Sequence, residues 1–210
     1  MIITLGILFA STLWFLMFAE FIEVGNIIHN NYFWIAMTFS ASSLALYSIF
    51  TQKDTFKSLL KINKKLIIVG IVHAILLYGL SRLGVFIAQN MFAFVVPQIE
   101  AIYTTKTQLD PLFIGLLLIF IIGPSEEIFW RGFVQNKLSQ LNSPKKALII
   151  TTIIYCLVHI WALNPMLLVA ALVLGVHWGL LFYKYKSLVP GIISHALWDT
   201  MIFVLFPIVF

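Results

Sequence analysis

The stretch PLFIGLLLIFIIGPSEEIFWRGFV, residues 111–134, decides the fold of this chain. Its first half is an unbroken apolar run, and the whole stretch exceeds the roughly 20 residues that a helix needs to cross a bilayer. Its second half places Glu126, Glu127 and Arg131 in the same span. A charge at mid-membrane costs roughly 2.5–3.5 kcal/mol on insertion scales, so such residues normally pair or line a wet cavity. The stretch therefore predicts both a membrane helix and a functional site within it.

The rest of the composition also indicates a membrane protein. Of the 210 residues, 61% are hydrophobic and 10% are charged, and the mean hydropathy is +1.03. Soluble domains carry about 25% charged residues. Because so few charges cannot cover a water-facing surface, a soluble enzyme, a disordered protein and a nucleic-acid-binding module are all excluded. The only cysteine, Cys156, rules out an internal disulfide.

Seven apolar stretches are long enough, or nearly so, to span a bilayer. They are 1–21, 31–50, 66–97, 111–134, 145–161, 165–183 and 188–207. We expect an all-α, polytopic transmembrane bundle of about seven spans, with a functional core formed by the last four. The third stretch is either one span with an interfacial extension or two short helices. The lysine-rich segment 51–65 is the nearest thing to a boundary, and it separates an N-terminal hairpin (1–65) from 66–210 within one structural unit.

Several local patterns predict where helices start, bend and pack. Asp110-Pro111, Ser143-Pro144 and Asn164-Pro165 each place a capping side chain before a proline that can occupy the first helical turn. Pro124 lies inside a helical run, where we expect it to kink the helix or to end it. Gly175-x-x-x-Gly179 predicts a face on which a neighbouring helix packs closely.

The basic residues predict the orientation in the membrane. Ten of the 13 are lysines in three connections that seven alternating spans bring to one end of the bundle, here called the lysine-rich end. They are Lys53, Lys57, Lys61, Lys64, Lys65, Lys137, Lys145, Lys146, Lys184 and Lys186. The opposite connections, 22–30, 98–110 and 162–164, contain only Lys106. The positive-inside rule then places the N-terminus in the cytosol and the C-terminus outside.

The intramembrane charges divide into two groups. Glu127 and Arg131 are four residues apart and share a helix face, so we expect an ion pair that acts as a structural brace. Glu126 points about 100° away and has no partner on its own helix, so it projects toward another element. Two later spans carry matching groups, His159 in one and His195 with Asp199 in the other. We expect these four side chains to converge on a cavity that opens to the cytosolic half.

This set admits three chemical interpretations. In the first, Glu126 deprotonates a water that His159 holds, and no cofactor is needed. His195 and Asp199 then stabilise the oxyanion of a cleaved peptide bond. In the second, the same four side chains bind a divalent metal such as zinc, which activates the water. The third is a proton or ion relay without bond cleavage. The structural alternative is a set of buried polar residues that only hold helices together.

Three motifs in successive spans resemble those of the CPBP family, the CAAX-protease and bacteriocin-processing family, also called Abi. They are Glu126-Glu127-x-x-x-Arg131, Tyr155-x-x-x-His159 and His195-x-x-x-Asp199. The resemblance covers about 111–205, the catalytic core of the family, and leads us to expect that 66–210 is a membrane protease domain. The N-terminal spans carry no signature of the family.

The resemblance implies roles for the motif residues. Glu126 and His159 are expected to activate the water, and His195 with position 199 to form the oxyanion site. The pair that follows Glu126, Glu127 with Arg131, is expected to support the site. The resemblance leaves metal dependence open, and we favour a metal-free glutamate mechanism.

Two positions depart from the family pattern. Tyr155 stands where the family usually has Phe, which is a mild change. Asp199 stands where the family usually has Asn, which can donate a hydrogen bond to an oxyanion, whereas an ionised Asp cannot. We therefore expect Asp199 to be protonated, to orient His195, or to bind a metal.

The resulting prediction is an intramembrane endopeptidase in a bacterial plasma membrane. Its partners would be the lipid bilayer and a membrane-embedded or membrane-delivered peptide or protein substrate, with no nucleic acid involved. One alternative is a non-proteolytic membrane binding protein, such as a bacteriocin immunity or scaffold factor with the same fold. A proton-coupled transporter is a further alternative, although such proteins often have interrupted helices in both halves, and here only Pro124 interrupts a span.

Overall fold

Helices separated by short connections form the protein. The computed structural model describes residues 1–19 and 32–210, and no strand occurs in those ranges. The helices are α1 (Ile2–Phe18), α2 (Phe33–Thr51), α3 (Lys53–Leu59), α4 (Lys64–Met91), α5 (Val95–Tyr103), α6 (Pro111–Leu141), α7 (Pro144–Ala162), α8 (Pro165–Tyr185) and α9 (Val189–Leu205). The predicted all-α fold is confirmed. The predicted connection 22–30 lies outside the described residues.

Within the described ranges, five helices are long and apolar enough to cross a membrane, namely α2, α4, α6, α7 and α8. The helices α1 and α9 are also apolar but are shorter than these five, each within 10–17 residues. The third predicted stretch, 66–97, falls on the 28-residue helix α4, which begins two residues earlier at Lys64, and on the start of the separate short helix α5. This arrangement matches one span with an extension rather than two short helices.

The predicted helix starts are confirmed. The side chain of Asp110 accepts a hydrogen bond from the backbone N–H of Leu112 at 2.8 Å, and Asn164 accepts one from Leu167 at 3.0 Å. Ser143 caps α7 in the same way. Each cap satisfies a donor that the first turn of a helix leaves free.

The helix α6 continues past Pro124. Wide π-helical turns flank this proline at Leu118–Ile122 and Ile128–Gln135. A proline cannot donate to the ladder and its ring crowds the preceding turn. A π turn adds the room that the ring needs and keeps the helix continuous. Glu126 and Glu127 therefore lie on a short α-helical stretch between two such turns.

The helices pack around shared apolar clusters. Residues of α1 and α2, such as Trp14 and Leu44, share one buried cluster with Phe129 of α6 and Tyr155 of α7. The N-terminal hairpin therefore contributes to the same core as the later helices. The helix α4 packs mainly against α9.

The predicted close-packing face on α8 is confirmed. A Cβ atom added at Gly175 would lie 3.2 Å from side-chain atoms of Thr152 and Tyr155 on α7. One turn later, a Cβ at Gly179 would lie 3.3 Å from Leu148. The two glycines thus let α7 and α8 approach closely.

Hydrogen bonds between connections mark the two ends of the bundle. At the lysine-rich end, the backbone N–H of Leu188 donates to the carbonyl oxygen of Leu59 at 2.9 Å. At the opposite end, the indole N–H of Trp34 donates to the carbonyl oxygen of Thr105 at 2.8 Å. The helices α9, which begins beside Leu188, and α2, which begins beside Trp34, therefore start at opposite ends of the bundle.

Candidate active site

One cavity of about 490 Å³ brings together side chains that are far apart in the sequence. Its lining includes Glu126, Tyr155, His159, His195 and Asp199. Each of these residues is buried, and they come from α6, α7 and α9. The four side chains expected to converge from three helices therefore face a common space.

Glu126 reaches the cavity from the α-helical stretch of α6. Its side chain is 3% exposed, and its Oε2 accepts a hydrogen bond from the hydroxyl of Tyr155 at 3.2 Å. Among the described residues, no ion pair engages this carboxylate. The hydroxyl that distinguishes Tyr155 from the phenylalanine expected at this position therefore holds one oxygen of Glu126.

Glu127 and Arg131 form the predicted ion pair. The Nη1 of Arg131 donates to Oε1 of Glu127 at 2.8 Å, and both side chains are 1% exposed. The Nη2 of Arg131 donates to the carbonyl oxygen of Gly175 at 3.2 Å, and the guanidinium lies over the ring of Tyr155. Neither Glu127 nor Arg131 lines the cavity, so the pair lies behind its wall.

His195 lies between two carboxylates. Its Nδ1 is 3.0 Å from Oε1 of Glu127, and its Nε2 is 3.3 Å from Oδ2 of Asp199. Because carboxylates accept hydrogen bonds, this is the arrangement of an imidazolium that donates from both nitrogens. The ring stacks on the indole of Trp178, with centroids 3.6 Å apart and an interplanar angle of 13°. Contacts on its face and at both nitrogens thus fix the orientation of the ring.

His159 is hydrogen-bonded to Trp14 of the first helix and to the backbone of Tyr155, one turn earlier on its own helix. The indole N–H of Trp14 donates to Nε2 of His159 at 3.2 Å. Because an indole N–H can only donate, Nε2 accepts, and Nδ1 carries the proton that it donates to the carbonyl oxygen of Tyr155 at 2.6 Å. His159 is therefore neutral, with the tautomer set by these two partners.

As the side chains lie in the structure, the donor atoms of the site are not arranged for the zinc alternative. Zinc takes at least three protein ligands, and a histidine ligand must offer a free nitrogen lone pair. The Nε2 lone pair of His159 is engaged by Trp14, and both nitrogens of His195 face carboxylates. In the ranges 1–19 and 32–210, no group of three or more His, Cys, Asp or Glu side chains is arranged to hold a metal ion.

The cavity reaches the end of the bundle opposite to the lysine-rich end. Its lining includes Thr105, Ala162 and Asn164, which belong to the lysine-poor connections or lie beside them. No described residue of the three lysine-bearing connections lines it. This differs from the expected opening in the lysine-rich half. The reason is that His159 lies in the last turns of α7, at the lysine-poor end.

Two aromatic residues of the site were not found from the sequence. Trp14 and Trp178 are both buried, and each contacts one of the site histidines. Tryptophan occurs six times in the chain and is common in membrane proteins, so neither position stands out by residue type. The position of Trp178, directly after His177 and between the two packing glycines, was the one available signal.

The family comparison agrees with the motif residues. A family model described as type II CAAX prenyl endopeptidase Rce1-like matches residues 107–201, which include all three motifs. No curated protein and no solved structure matches the chain at a significant level. Residues 107–201 of this chain are therefore similar to the Rce1-like family of type II CAAX prenyl endopeptidases.

Proposed function

We propose that this chain is an intramembrane endopeptidase that hydrolyses a peptide bond of a membrane-associated peptide or protein, with Glu126 as the general base. The observation that carries the proposal is the state of Glu126. It is buried at the cavity wall, held by Tyr155 through one oxygen, and forms no ion pair with a described residue. A carboxylate in that state can accept a proton from a water in the cavity.

The proposed reaction needs no group beyond water and the protein. Glu126 takes one proton from the water while the oxygen of that water bonds to the carbonyl carbon of the substrate. The same carboxyl group then gives that proton to the amide nitrogen as the C–N bond breaks. His159 has one acceptor lone pair at Nε2, and we propose that it holds the attacking water when Trp14 releases that lone pair.

His195 and Asp199 are proposed to serve the oxyanion. The distance of 3.3 Å between Nε2 of His195 and Asp199 is long for an N–H···O hydrogen bond. The developing oxyanion of the substrate can therefore compete for this N–H. In this proposal Asp199 orients His195, which is one of the three roles that the sequence left open, and does not itself donate.

The proposed setting is the plasma membrane of a bacterium, with the N-terminus and the lysine-rich end in the cytosol. The apolar helices and the similarity to a membrane-protease family support an integral membrane location. In this orientation, the cavity lies between mid-membrane and the outer leaflet.

A pair of glutamine substitutions tests the function. The protein is reconstituted into vesicles with two internally quenched peptides, one a farnesylated CAAX peptide and one an apolar membrane-spanning peptide. We expect Glu126→Gln to slow cleavage by about 10²–10⁴-fold, the range for loss of a general base. The control Glu100→Gln changes an exposed glutamate on α5 and should leave the rate unchanged. Equal cleavage rates for the Glu126→Gln variant and the parent would contradict the role of Glu126 as general base. No cleavage of either peptide by the parent would favour the binding-protein alternative.

A further inference from the structure

Residues of α4 and α8 that line the cavity also face outward. On α4, Leu80 is 58% exposed, and on α8, Val169 and Val173 are 55% and 51% exposed. A side chain can line a cavity and be this exposed only at its rim. The cavity is therefore open sideways, between α4 and α8.

The rim consists of two facing stripes with four-residue spacing, which keeps each stripe on one face of its helix. The stripes are Leu80, Gly84 and Ala88 on α4, and Pro165, Val169 and Val173 on α8. Both helices are candidate membrane spans. The opening therefore faces the hydrocarbon region of the bilayer and not bulk water.

The opening is bounded at both ends of its length. Toward the lysine-rich end, Nδ1 of His73 on α4 and Nε2 of His177 on α8 are hydrogen-bonded at 3.3 Å. Toward the opposite end, α5 lies against both α4 and α8, and its Gln98 carbonyl accepts a hydrogen bond from Asn164 at 2.8 Å. The helices α4 and α8 thus frame a lateral window. The two histidines bound it toward the lysine-rich end, and α5 bounds it toward the opposite end.

The chemistry of the lining selects the occupant. No lysine or arginine of the described residues lines the cavity, and residues 20–31 contain none. Most of the described lining is aliphatic or aromatic, and the acidic groups in it are Glu126 and Asp199. The one histidine described above as an imidazolium, His195, already faces Glu127 and Asp199, so a charged chain would find no free counter-ion among the described lining residues. An apolar segment would lose no hydration. The volume of about 490 Å³ lies within the range of ligand pockets.

We infer that the substrate is an apolar, membrane-embedded polypeptide segment that enters from the lipid through the window between α4 and α8. This inference rests on the proposed peptidase function and narrows its substrate class. The window leads from the lipid to the wall that carries Glu126 and His195. A substrate delivered from water would not need it.

Two glycines on α4 provide a matched test. A Cβ atom at Gly84 or at Gly79 would meet no atom within 4 Å, so both positions tolerate a large side chain. Gly84 lines the window and Gly79 does not. The probes are a quenched 20-residue Leu/Ala peptide that spans phosphatidylcholine vesicles and a short soluble peptide with the same central sequence.

We expect Gly84→Trp to slow cleavage of the spanning peptide at least tenfold and cleavage of the soluble peptide less than twofold. Gly79→Trp should leave both rates within twofold of the parent. An unchanged rate for the spanning peptide in Gly84→Trp would overturn the inference. An equal loss for both peptides would also overturn it, because the tryptophan would then obstruct the cavity itself.

A binding measurement separates this inference from the peptidase proposal. In a Cys156→Ser, Glu126→Gln background, a benzophenone probe is attached through Gly84→Cys or Gly79→Cys, and the spanning peptide is biotinylated. We expect at least fivefold more peptide adduct at position 84 than at position 79. Equal yields of peptide adduct at positions 84 and 79 would overturn the inferred window. Adducts with vesicle lipid at position 84 whose yield does not fall when the peptide is added would also overturn it. Strong peptide adducts together with no cleavage by the parent would reject the peptidase proposal and leave the window intact.

Discussion

The indole N–H of Trp14 donates a hydrogen bond to Nε2 of His159 across 3.2 Å, and this bond joins the first helix to the candidate active site. The two residues are 145 positions apart, and Trp14 lies outside the matched family region. Since Trp14 and a substrate water need the same lone pair of His159, the first helix can control the state of this histidine. The N-terminal hairpin therefore contributes to the site as well as to the core.

We predict that Trp14→Phe raises kcat about two- to tenfold, which corresponds to the net 0.5–1.5 kcal/mol of one hydrogen bond. The substitution frees Nε2 of His159 for water, while the carbonyl of Tyr155 still fixes the tautomer. Peptide cleavage in vesicles measures the effect. Trp130→Phe is the control, because Trp130 is equally buried but its indole N–H has no hydrogen-bond partner in the part of the chain that the structure describes. A kcat that falls in Trp14→Phe and not in Trp130→Phe would show that His159 needs this donor.

Features that depend on local sequence were predictable. The proline-linked caps, the Glu127–Arg131 pair and the packing glycines Gly175 and Gly179 each follow from a spacing of a few residues along one helix. They were all found in the structure because helix geometry fixes which side chains are neighbours.

Beyond the convergence of the four motif side chains on one cavity, features that depend on how helices meet were not predictable. The contact of Trp14 with His159 and the stack of Trp178 on His195 arise only from tertiary packing. The expected position of the cavity opening came from helix lengths alone. That expectation did not include the residues of α5 and of the connection after α7 that line the cavity. The π turns around Pro124 also escaped prediction, since a proline in a helix is usually associated with a kink or an end.

A second prediction concerns the residue that departs from the family pattern. We expect Asp199→Asn to keep kcat/KM within threefold of the parent or to raise it. The amide oxygen can still accept from Nε2 of His195, and the amide N–H can donate to an oxyanion. Asp199→Leu should lower kcat/KM at least tenfold, because it leaves that N–H of His195 without its partner. If Asp199→Asn were as damaging as Asp199→Leu, the negative charge of Asp199 would be required.

A third prediction concerns the buried ion pair. We expect Arg131→Met to lower the free energy of unfolding in detergent by about 3–5 kcal/mol, the usual cost of removing one partner of a buried ion pair. His195 would then be the one cation of the described residues that faces Glu127. Gln135→Met is the comparison, since Gln135 lies one turn later and donates in the same way to the carbonyl of Gly179 at 3.0 Å. Because Gln135 carries no charge, we expect Gln135→Met to lower the free energy of unfolding by about 1 kcal/mol. Similar losses in both variants would mean that the Glu127–Arg131 pair contributes little beyond its hydrogen bonds.

The last prediction tests whether the position of Glu127 controls His195. A Cβ atom at Gly191 would lie 2.6 Å from Oε2 of Glu127, so Gly191→Ala must displace this carboxylate. Because the other oxygen of Glu127 faces Nδ1 of His195, the ring should shift with it. We expect kcat to fall at least tenfold with KM nearly unchanged. Gly115→Ala is the control, since its nearest atoms would be 3.9 Å away. A KM that rises while kcat holds would indicate instead that Gly191 shapes the substrate cavity.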